Sequence, residues 1–338
     1  MTRTEKIELL HRAGAFIKDN ENWRQDRIAD AGNENPWFTP VFVQHALEEI
    51  TDHYLDRDHL EQWLENYKEV DKPRQVGLIP AGNIPLVGLH DVISVFLAGH
   101  KVHIKPSSKD SVLLKAVIQL FIDLEPGAKE HFTFVDQLKG LDAIIATGSD
   151  NSYRYFEYYF RDIPHLLRKN RVGLAILDGR ESEEELRAFV KDVVLYFGLG
   201  CRNTRQVFLP EDYEPTDLQK YFAEWDHLLD HHKYKNNYDY NYAIYLMNKE
   251  PFYALGPSIL LESESPHSRI ASLHFSRYQD KDTLVSSLKD RLGPNGDIQC
   301  ISMRAPQENG LLNLGEAQKP GLRDYADGVD TMEFLTGL

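Results

Sequence analysis

The chain has 338 residues, a hydrophobic share of 42% and a formal net charge of -15. A chain of this length usually forms two domains or one large α/β unit, and its apolar share is enough for a substantial core. The acidic balance argues against wrapping nucleic acid or docking on anionic lipid, because no excess of lysine and arginine exists to neutralise phosphates.

The sequence contains two cysteines, Cys201 and Cys300, so a disulfide framework is not what holds the protein together. Its N-terminus is charged throughout and lacks the apolar core of a signal peptide. No run of about 18 apolar residues occurs anywhere, which argues against a membrane span. We therefore predict a protein of the reducing cytoplasm.

The first part of the chain, residues 1–70, is predicted to be a helical N-terminal segment. Apolar residues recur at helical spacing between residues 4 and 68, for example at Leu9, Leu10 and Ala13. Nothing in this segment suggests a chemical site, so we interpret it as a helical lead-in.

From residue 75 the pattern changes to short apolar runs that alternate with helical stretches. Strands are predicted at 75–81, 101–105, 131–135 and 142–147, with helices at 85–97 and near 109–124. This rhythm is typical of a doubly wound α/β sheet, in which ligands bind at the carboxyl ends of the strands. We assign residues 71–172 to a Rossmann-type cofactor-binding domain.

A second α/β unit is predicted over residues 173–304, which we assign as the catalytic domain. Strands are predicted at 173–177, 205–209, 258–262, 270–275 and 297–303, with helices at 181–197, 216–231 and 280–291. The polar tail, 305–338, is expected to return to the cofactor domain or to form an oligomer contact.

Cys201 stands in the segment GLGCRN at 198–203 and is the strongest candidate for chemistry. Glycines before it let a substrate approach the sulfur, and the adjacent Arg202 favours the thiolate. The alternative is a buried, inert cysteine, which the glycine frame makes less favoured. Cys300 lies inside the apolar run IQCIS, and we assign it to the core.

Further candidate residues follow the predicted strands of the first α/β unit. Asn83, in PAGNIP at 80–85, has an amide N–H suited to a developing oxyanion. Taken by itself, however, this segment is better explained as a plain turn. The segment KPSSK could bind a ribose or a phosphate through Lys105, Ser107 and Ser108. The alternative is that it forms a solvated loop. A turn of small residues at a helix start suits a dinucleotide phosphate but is common; it comprises Thr147, Gly148 and Ser149.

The two commonest nucleotide fingerprints, GxGxxG and GxxxxGK[ST], are absent, so a cofactor site must use another Rossmann-type geometry. Taken in order, however, the motifs resemble the aldehyde dehydrogenase superfamily. More closely, they resemble the acyl-CoA reductase family typified by the fatty-acid reductase subunit of bacterial bioluminescence. The segments that carry this resemblance are 81–110, ATGSDNS at 146–152 and YFGLGCRN at 196–203.

The resemblance implies an aldehyde-dehydrogenase-like fold and a role for each motif. Cys201 is implied as the nucleophile, facing the nicotinamide across a cleft, and Asn83 with the Cys201 backbone N–H as the oxyanion hole. Lys105 and Ser107 are implied to hold the adenosine ribose. The cofactor pyrophosphate and nicotinamide path is implied to be lined by Thr147, Gly148 and Ser149.

Two departures from the superfamily bear on the reaction. Oxidising members carry a glutamate that activates water, whereas the matching stretch here, 168–179, contains no glutamate. NAD-preferring members often carry glutamate directly after Lys-Pro-Ser, where this chain has Ser108 followed by Lys109. We therefore expect reduction of an acyl-CoA to an aldehyde, with NADPH favoured and NADH as the alternative.

Other functions and weaker signals remain open at this point. A CoA-acylating or oxidising aldehyde dehydrogenase is the second enzyme hypothesis, and a non-catalytic acyl-relay subunit is the third. Acyl chain length, the donor (CoA, carrier protein or acyl phosphate) and the oligomeric state, a homo-oligomer included, are undetermined. His227 and His231 have metal-binding spacing but no third ligand set, so we predict no metal site.

For two further features we prefer a structural interpretation to a functional one. His90 and Asp91 are taken as helix packing with an exposed polar edge rather than as substrate contacts. A tyrosine-rich stretch is taken as amphipathic packing rather than as an acyl channel; it comprises Tyr234, Tyr238, Tyr240, Tyr242 and Tyr245.

Overall fold

The computed structural model describes residues 1–307 and 310–338, which fall into two compact units. Unit 1 comprises Met1–Asn170 with Pro320–Leu338, and unit 2 comprises Arg171–Lys319. Residues 308 and 309, which belong to the predicted C-terminal segment 305–338, lie outside the described residues.

Unit 1 begins with a helical segment, as predicted. Its helices are α1 (Arg3–Asp19), α2 (Glu21–Glu34), α3 (Pro40–His53) and α4 (Arg57–Leu64). Polar side chains start several of them: Thr2 and Glu5 form a capping box on α1, and Thr39 caps α3. The apolar faces, with Leu9 and Leu10 fully buried, join the same core as the sheet of unit 1, so this segment is an integral part of that unit.

The sheet of unit 1 is parallel and doubly wound. Its elements are β1 (Gln75–Ile79), α5 (Leu89–Ala98), β2 (Lys101–Ile104), α6 (Val112–Leu124), β3 (Phe132–Phe134), β4 (Ala143–Thr147), α7 (Asp150–Phe160) and β5 (His165–Arg168). The strand order is β3-β2-β1-β4-β5, so the winding reverses between β1 and β4. Ligands of open α/β sheets bind at such a switch point, outside the carboxyl ends of the strands.

The connection from β3 to β4 crosses the sheet in residues 135–142, all of them described, without a helix. Its leucines lie on the central strand at Gly77, where an added Cβ would collide with the side chain of Leu141. A side chain at position 77 would therefore force the Leu141 side chain of the crossover to move.

Unit 2 is a second, larger α/β sheet. Its elements are β6 (Val172–Ile176), α8 (Glu183–Val194), β7 (Thr204–Pro210), α9 (Gln219–Ala223), α10 (His232–Asn248), β8 (Tyr253–Leu255), β9 (Ser258–Glu262), β10 (Ser272–Tyr278), α11 (Lys281–Lys289), β11 (Ile298–Met303) and β12 (Leu311–Asn313). The order is β12-β11-β6-β7-β10-β9-β8, with β8 antiparallel to β9 and the other pairs parallel. The chain then returns to unit 1 and ends in α12 (Thr331–Thr336).

Two predicted helices of unit 2 differ from the structure. The helix predicted over 181–197 ends at Val194, because the backbone turns left-handed at Tyr196 and Phe197. The helix predicted over 216–231 is broken into 3-10 turns around the short α9. Across the described residues, none of the helices combines the length and the apolar character needed to cross a bilayer.

Candidate functional site

The candidate residues of unit 1 meet at one edge of its sheet. Ile79 pairs with Ala146, so the turn that follows β1 and Thr147 at the end of β4 lie side by side. The Lys105 N–H donates to the Leu78 carbonyl at 2.9 Å, which places the loop after β2 beside the same strand. The three loops that hold Asn83, Lys105 and Thr147 therefore converge at the switch point of the sheet.

The turn of Asn83 and the loop of Ser107 are locked together by two contacts. Gly82 packs directly on Ser107, so that an added Cβ would collide with the serine hydroxyl. The buried Asp110 accepts the Leu86 N–H at 2.7 Å, and Leu86 itself has a left-handed backbone with φ of 57°. A single carboxyl group thus fixes the end of the Asn83 turn on the neighbouring loop.

Asp110 was not singled out from the sequence, where it reads as an ordinary helix-start residue. Burial raises the pKa of Asp110 to about 7, against the lowering effect of the backbone N–H groups that it accepts. Only the three-dimensional contact with residue 86 distinguishes it from the exposed acids of the chain.

The start of α6 is held by the N-terminal helices. The Glu34 carboxylate accepts the N–H groups of Ser111 and Val112, each at 3.0 Å, and Asn35 donates to the Lys109 carbonyl at 3.1 Å. This helix end is therefore already capped by a carboxylate. The side chains of Lys105, Ser108 and Lys109 are exposed beside it, and Ser107 is half-buried.

The turn of Thr147, Gly148 and Ser149 leads directly into α7. The Ser149 hydroxyl accepts the Ser152 N–H at 3.3 Å and so caps the helix. An added Cβ on Gly148 would lie 2.7 Å from the Ser152 Cβ, so only glycine lets the strand approach the helix this closely. The helix start, which favours anions, is thereby placed at the same edge as the other loops.

Cys201 lies in unit 2, in the loop between α8 and the amino end of β7. Its side chain is half-buried, and within the described residues neither cysteine is in a disulfide. Three successive residues before it are left-handed, with φ of 53° at Tyr196, 56° at Phe197 and 68° at Gly198. Such backbone is disfavoured for residues other than glycine and is found at functional sites where the surroundings hold it.

The residue after Cys201 is anchored on the sheet. An added Cβ on Gly173, in β6, would lie 2.5 Å from the Arg202 carbonyl oxygen, and the Cys300 thiol donates to that oxygen at 3.6 Å. The Arg202 Nε–H donates to the Ala317 carbonyl at 2.7 Å. Cys300 itself is 4% exposed, which confirms its assignment to the core.

A second buried carboxyl group lies close to this loop. Asp192, in α8, is fully buried and accepts the Gly315 N–H at 2.7 Å. Burial raises the pKa of Asp192 to about 7. It joins α8 to the segment around residues 315–317, which also binds the Arg202 side chain.

The prediction that His90 and Asp91 form an exposed polar edge is wrong. Asp91 is buried and forms an ion pair with Arg168 through contacts of 2.6 and 2.8 Å, and Arg168 also donates to the Thr331 hydroxyl at 2.9 Å. His90 donates to the Leu322 carbonyl at 3.0 Å, and burial lowers its pKa. The two side chains face inward because each has its polar partners inside unit 1.

The tyrosine-rich stretch forms part of α10. Tyr234 and Tyr245 are buried, and the Tyr234 hydroxyl donates to the Pro257 carbonyl at 2.9 Å, whereas Tyr240 is 62% exposed. This confirms amphipathic packing. His231 caps α10, with its ring 4.5 Å from that of Phe197. In the described part of the chain, no His, Cys, Asp and Glu side chains are grouped so that three or more could hold a metal ion.

Several solved structures with the same fold are aldehyde dehydrogenases. Aldehyde dehydrogenase 21 from Physcomitrella patens, solved with its reaction product succinate, is similar with a TM-score of 0.71 and 10% identity over 100% of this chain and 84% of that one. The aldehyde dehydrogenase from Bacillus cereus, solved with NAD+, is similar with a TM-score of 0.65 and 13% identity over 91% of this chain and 73% of that one. The molecule therefore has the aldehyde dehydrogenase fold, as predicted.

A sequence profile of the acyl-CoA reductase (LuxC) family matches residues 35–225, more than half of the chain. The chain belongs to this family, which confirms the resemblance carried by its motifs. The long-chain acyl-protein thioester reductase of Aliivibrio fischeri is 25% identical over 273 residues, which are 74% of this chain and 57% of that relative. The match thus spans somewhat more than half of the relative's length.

Proposed function

We propose that this chain reduces an activated acyl group to an aldehyde through a covalent thioester on Cys201, with NADPH as the reductant. The observation that carries the proposal is the half-buried, glycine-framed Cys201, which follows a left-handed turn at residues 196–198, in a member of the acyl-CoA reductase family. Backbone held in this conformation clusters at active sites and ligand sites.

We propose an acyl-CoA, of fatty-acyl type, as the donor. The family description supports CoA, whereas the Aliivibrio fischeri relative is named for an acyl-protein thioester. Both donors present the same group, a thioester carbonyl with a thiolate leaving group. The chemistry at Cys201 is identical for the two, and a comparison of donors decides between them.

In the proposed mechanism the Cys201 thiolate attacks the thioester carbonyl carbon. The Asn83 amide and the Cys201 backbone N–H donate to the oxyanion that forms, and removal of such a donor typically lowers the rate by about 10²–10³-fold. The thiol of the donor leaves, and the acyl group remains on Cys201 as a thioester. When bound, NADPH supplies the hydride that reduces this acyl carbon. The thiohemiacetal alkoxide on Cys201 then collapses to the aldehyde and the free thiolate.

The residues proposed to hold the cofactor are compatible with a phosphorylated ribose. Lys105, Ser108 and Lys109 are exposed at the edge of the sheet, and the Glu34 carboxylate is engaged by backbone N–H groups of α6. We propose that Lys105 and Ser107 hold the ribose and that Ser108 with Lys109 accommodates a 2′-phosphate. The pyrophosphate and nicotinamide path is assigned to the turn of Thr147, Gly148 and Ser149.

The chemistry of the thiolate also bears on the compartment in which the protein works. A thiolate nucleophile stays reduced in the cytoplasm, which we propose as its compartment. A homo-oligomer is compatible with the proposal and is tested by measuring the mass of the protein in solution.

The test measures loss of NADPH absorbance with acyl-CoA of several chain lengths, acyl carrier protein thioesters and acyl phosphates, with aldehyde identified as product. Oxidation of NADPH that depends on Cys201 supports the proposal. Formation of NADPH from aldehyde and NADP+, with CoA or without it, together with no reduction of any acyl donor, indicates an aldehyde-oxidising enzyme instead. Acylation of Cys201 without oxidation of NADPH or NADH indicates an acyl-relay subunit.

The preference for NADPH has its own test in the variant Ser108→Glu. A carboxylate here would bind ribose hydroxyls and repel a 2′-phosphate, so the ratio of kcat/KM for NADPH to that for NADH should fall. A wild-type enzyme that clearly prefers NADH contradicts this part of the proposal.

A further inference from the structure

We propose that Asn203 is the positioning residue for Cys201. It stands two residues after the cysteine and is fully buried in unit 2. Its Oδ1 accepts the Gly200 N–H at 2.7 Å, and its Nδ2 donates to the carbonyls of Asp192 and Leu195, each at 2.9 Å. Both ends of the amide are therefore occupied by backbone groups of the loop that carries the nucleophile.

These contacts tie together the two sides of the left-handed turn. Leu195 precedes the turn and Gly200 follows it, so one side-chain amide spans the residues at which φ is positive. L-amino acids other than glycine disfavour a positive φ, so the turn would relax to another conformation without contacts that hold it. The Asn203 amide supplies the hydrogen bonds that hold it, and it also satisfies carbonyls at the end of α8 that have no helical partner.

The backbone of Asn203 fixes the same segment on the sheet. Its N–H donates to the Gly200 carbonyl at 3.2 Å, which closes a tight turn over residues 200–203 with Cys201 at its second position. Its carbonyl accepts the Gly173 N–H at 3.0 Å, which joins this turn to β6. Gly200 is therefore bound to Asn203 through both its N–H and its carbonyl, and Cys201 has little freedom to move.

The inference rests on the proposed function, because it is as a nucleophile that Cys201 needs a fixed position. Attack on a carbonyl requires the sulfur at near-contact distance and in the correct direction, and misplacement by about 1 Å can lower a rate about 10²-fold. Residues that hold a reactive group act through it without touching the substrate. Asn203 is accordingly a positioning residue and not a catalytic one.

The first arm of the test measures the loop itself by amide hydrogen exchange and mass spectrometry on peptides covering residues 195–203. Asn203→Ala removes both ends of the amide, and exchange in this peptide should rise at least about tenfold, since several buried hydrogen bonds are lost. Asn203→Asp keeps the acceptor for Gly200 but loses the donor to Leu195, so an intermediate increase is expected. The matched control is Asn248→Ala, which removes an exposed contact to Glu250.

The second arm separates positioning from general structure. With Asn203→Ala, the rate at which an acyl-CoA acylates Cys201 should fall about 10–100-fold while the KM for NADPH stays within about twofold of wild type. Alkylation of Cys201 by iodoacetamide, mapped by peptide mass spectrometry, should change less than about threefold, because a small reagent needs no precise approach. A purely structural defect would instead expose Cys300, and label would appear there.

The outcomes are distinguishable. Wild-type exchange and wild-type acylation in Asn203→Ala overturn the inference, as does a loss of activity accompanied by alkylation of Cys300. Should the alanine variant fail to fold, unchanged exchange in Asn203→Asp overturns it equally. If wild-type protein is acylated by no donor, the proposed function fails, and the exchange arm still decides whether Asn203 holds the loop.

Discussion

The two units place their candidate residues by different means. In unit 1 the segments around Asn83, Lys105 and Thr147 follow β1, β2 and β4, at the edge where open α/β sheets bind ligands. In unit 2 Cys201 precedes its strand, β7, and follows a left-handed turn at residues 196–198. The proposed cofactor edge thus comes with the sheet topology, whereas the proposed nucleophile stands in a loop with unusual backbone.

Buried polar side chains hold the loops in both units. Asp110 binds the Leu86 N–H beside the Asn83 turn, and Asn203 binds Gly200 beside the cysteine. Asp192 adds a contact to Gly315 in unit 2. Each of these groups acts on backbone, so each fixes the position of a neighbour rather than offering a group to a ligand.

The largest effect is expected at the nucleophile. Cys201→Ala should lower the turnover of acyl-CoA by about 10⁴-fold or more, because the proposed thioester forms on the Cys201 sulfur. NADPH binding, assigned to unit 1, should be unchanged in a titration followed by nicotinamide fluorescence. Cys300→Ser, which keeps a donor for the Arg202 carbonyl, is the matched control and should retain activity. The assignment of the nucleophile to unit 2 and of NADPH binding to unit 1 is contradicted if Cys201→Ala remains active. It is also contradicted if this variant no longer binds NADPH.

The next effect concerns the stability of unit 1. Asp91→Ala leaves the buried Arg168 without its carboxylate partner, and such a change typically lowers the free energy of unfolding by ~3–5 kcal/mol. Arg187→Ala breaks exposed ion pairs with Glu183 and Glu224 and should change the free energy of unfolding by ~1 kcal/mol or less. Urea unfolding of both variants measures the difference. Equal effects from the two would show that Asp91 is not a buried structural charge.

Asn83→Ala should affect the reaction rather than the fold. Loss of one oxyanion donor predicts a fall in kcat of about 10²–10³-fold with little change in the KM for NADPH. Steady-state kinetics with a saturating acyl-CoA provides the measurement, with Asn248→Ala as the control. A wild-type kcat would mean that the turn of unit 1 serves binding only and has no part in the chemistry.

A final expected effect is a pH dependence of stability that the two units share. The pKa values of Asp110 and Asp192 are about 7 in the folded protein, above the ordinary value of 3.8. The unfolded chain loses these protons near pH 4 and the folded chain near pH 7. Stability therefore falls as pH rises through this window, by at most ~1.4 kcal/mol per pH unit for each group.

Asp192→Asn keeps an acceptor for Gly315 and cannot ionise, so its unfolding free energy should fall less steeply than that of wild type between pH 4 and 7. Asp110→Asn tests the corresponding group in unit 1. Parallel curves for wild type and both variants would show that neither carboxyl group carries the raised pKa.

Three central strands of unit 1 are well predicted from the sequence because periodicity and turn residues report local structure, whereas α7 and β5 are not predicted. β1, β2 and β4 are predicted to within two residues, and the order of the motifs leads to the correct superfamily fold. The left-handed turn at Tyr196 and Phe197 is missed, since an aromatic residue carries no signal for positive φ. The helix predicted through this point ends early for that reason.

Tertiary contacts account for the other omissions. Asp91 and Arg168 are 77 residues apart in sequence, and a pattern of helical spacing does not show that an acidic residue turns inward to a distant partner. Asn203 stands inside the segment GLGCRN, and its place two residues after Cys201 is the signal that the sequence offers for it. The catalytic and cofactor roles of the predicted site residues stay predictions.

The central claim is that an acyl group passes through Cys201 on its way to the aldehyde. The most direct measurement incubates wild-type protein with radiolabelled long-chain acyl-CoA, quenches it, and locates the label by peptide mass spectrometry before and after addition of NADPH. The account predicts label on Cys201 that leaves as aldehyde when NADPH is added. Label that is absent from Cys201, or that stays on it while aldehyde accumulates, would contradict the account.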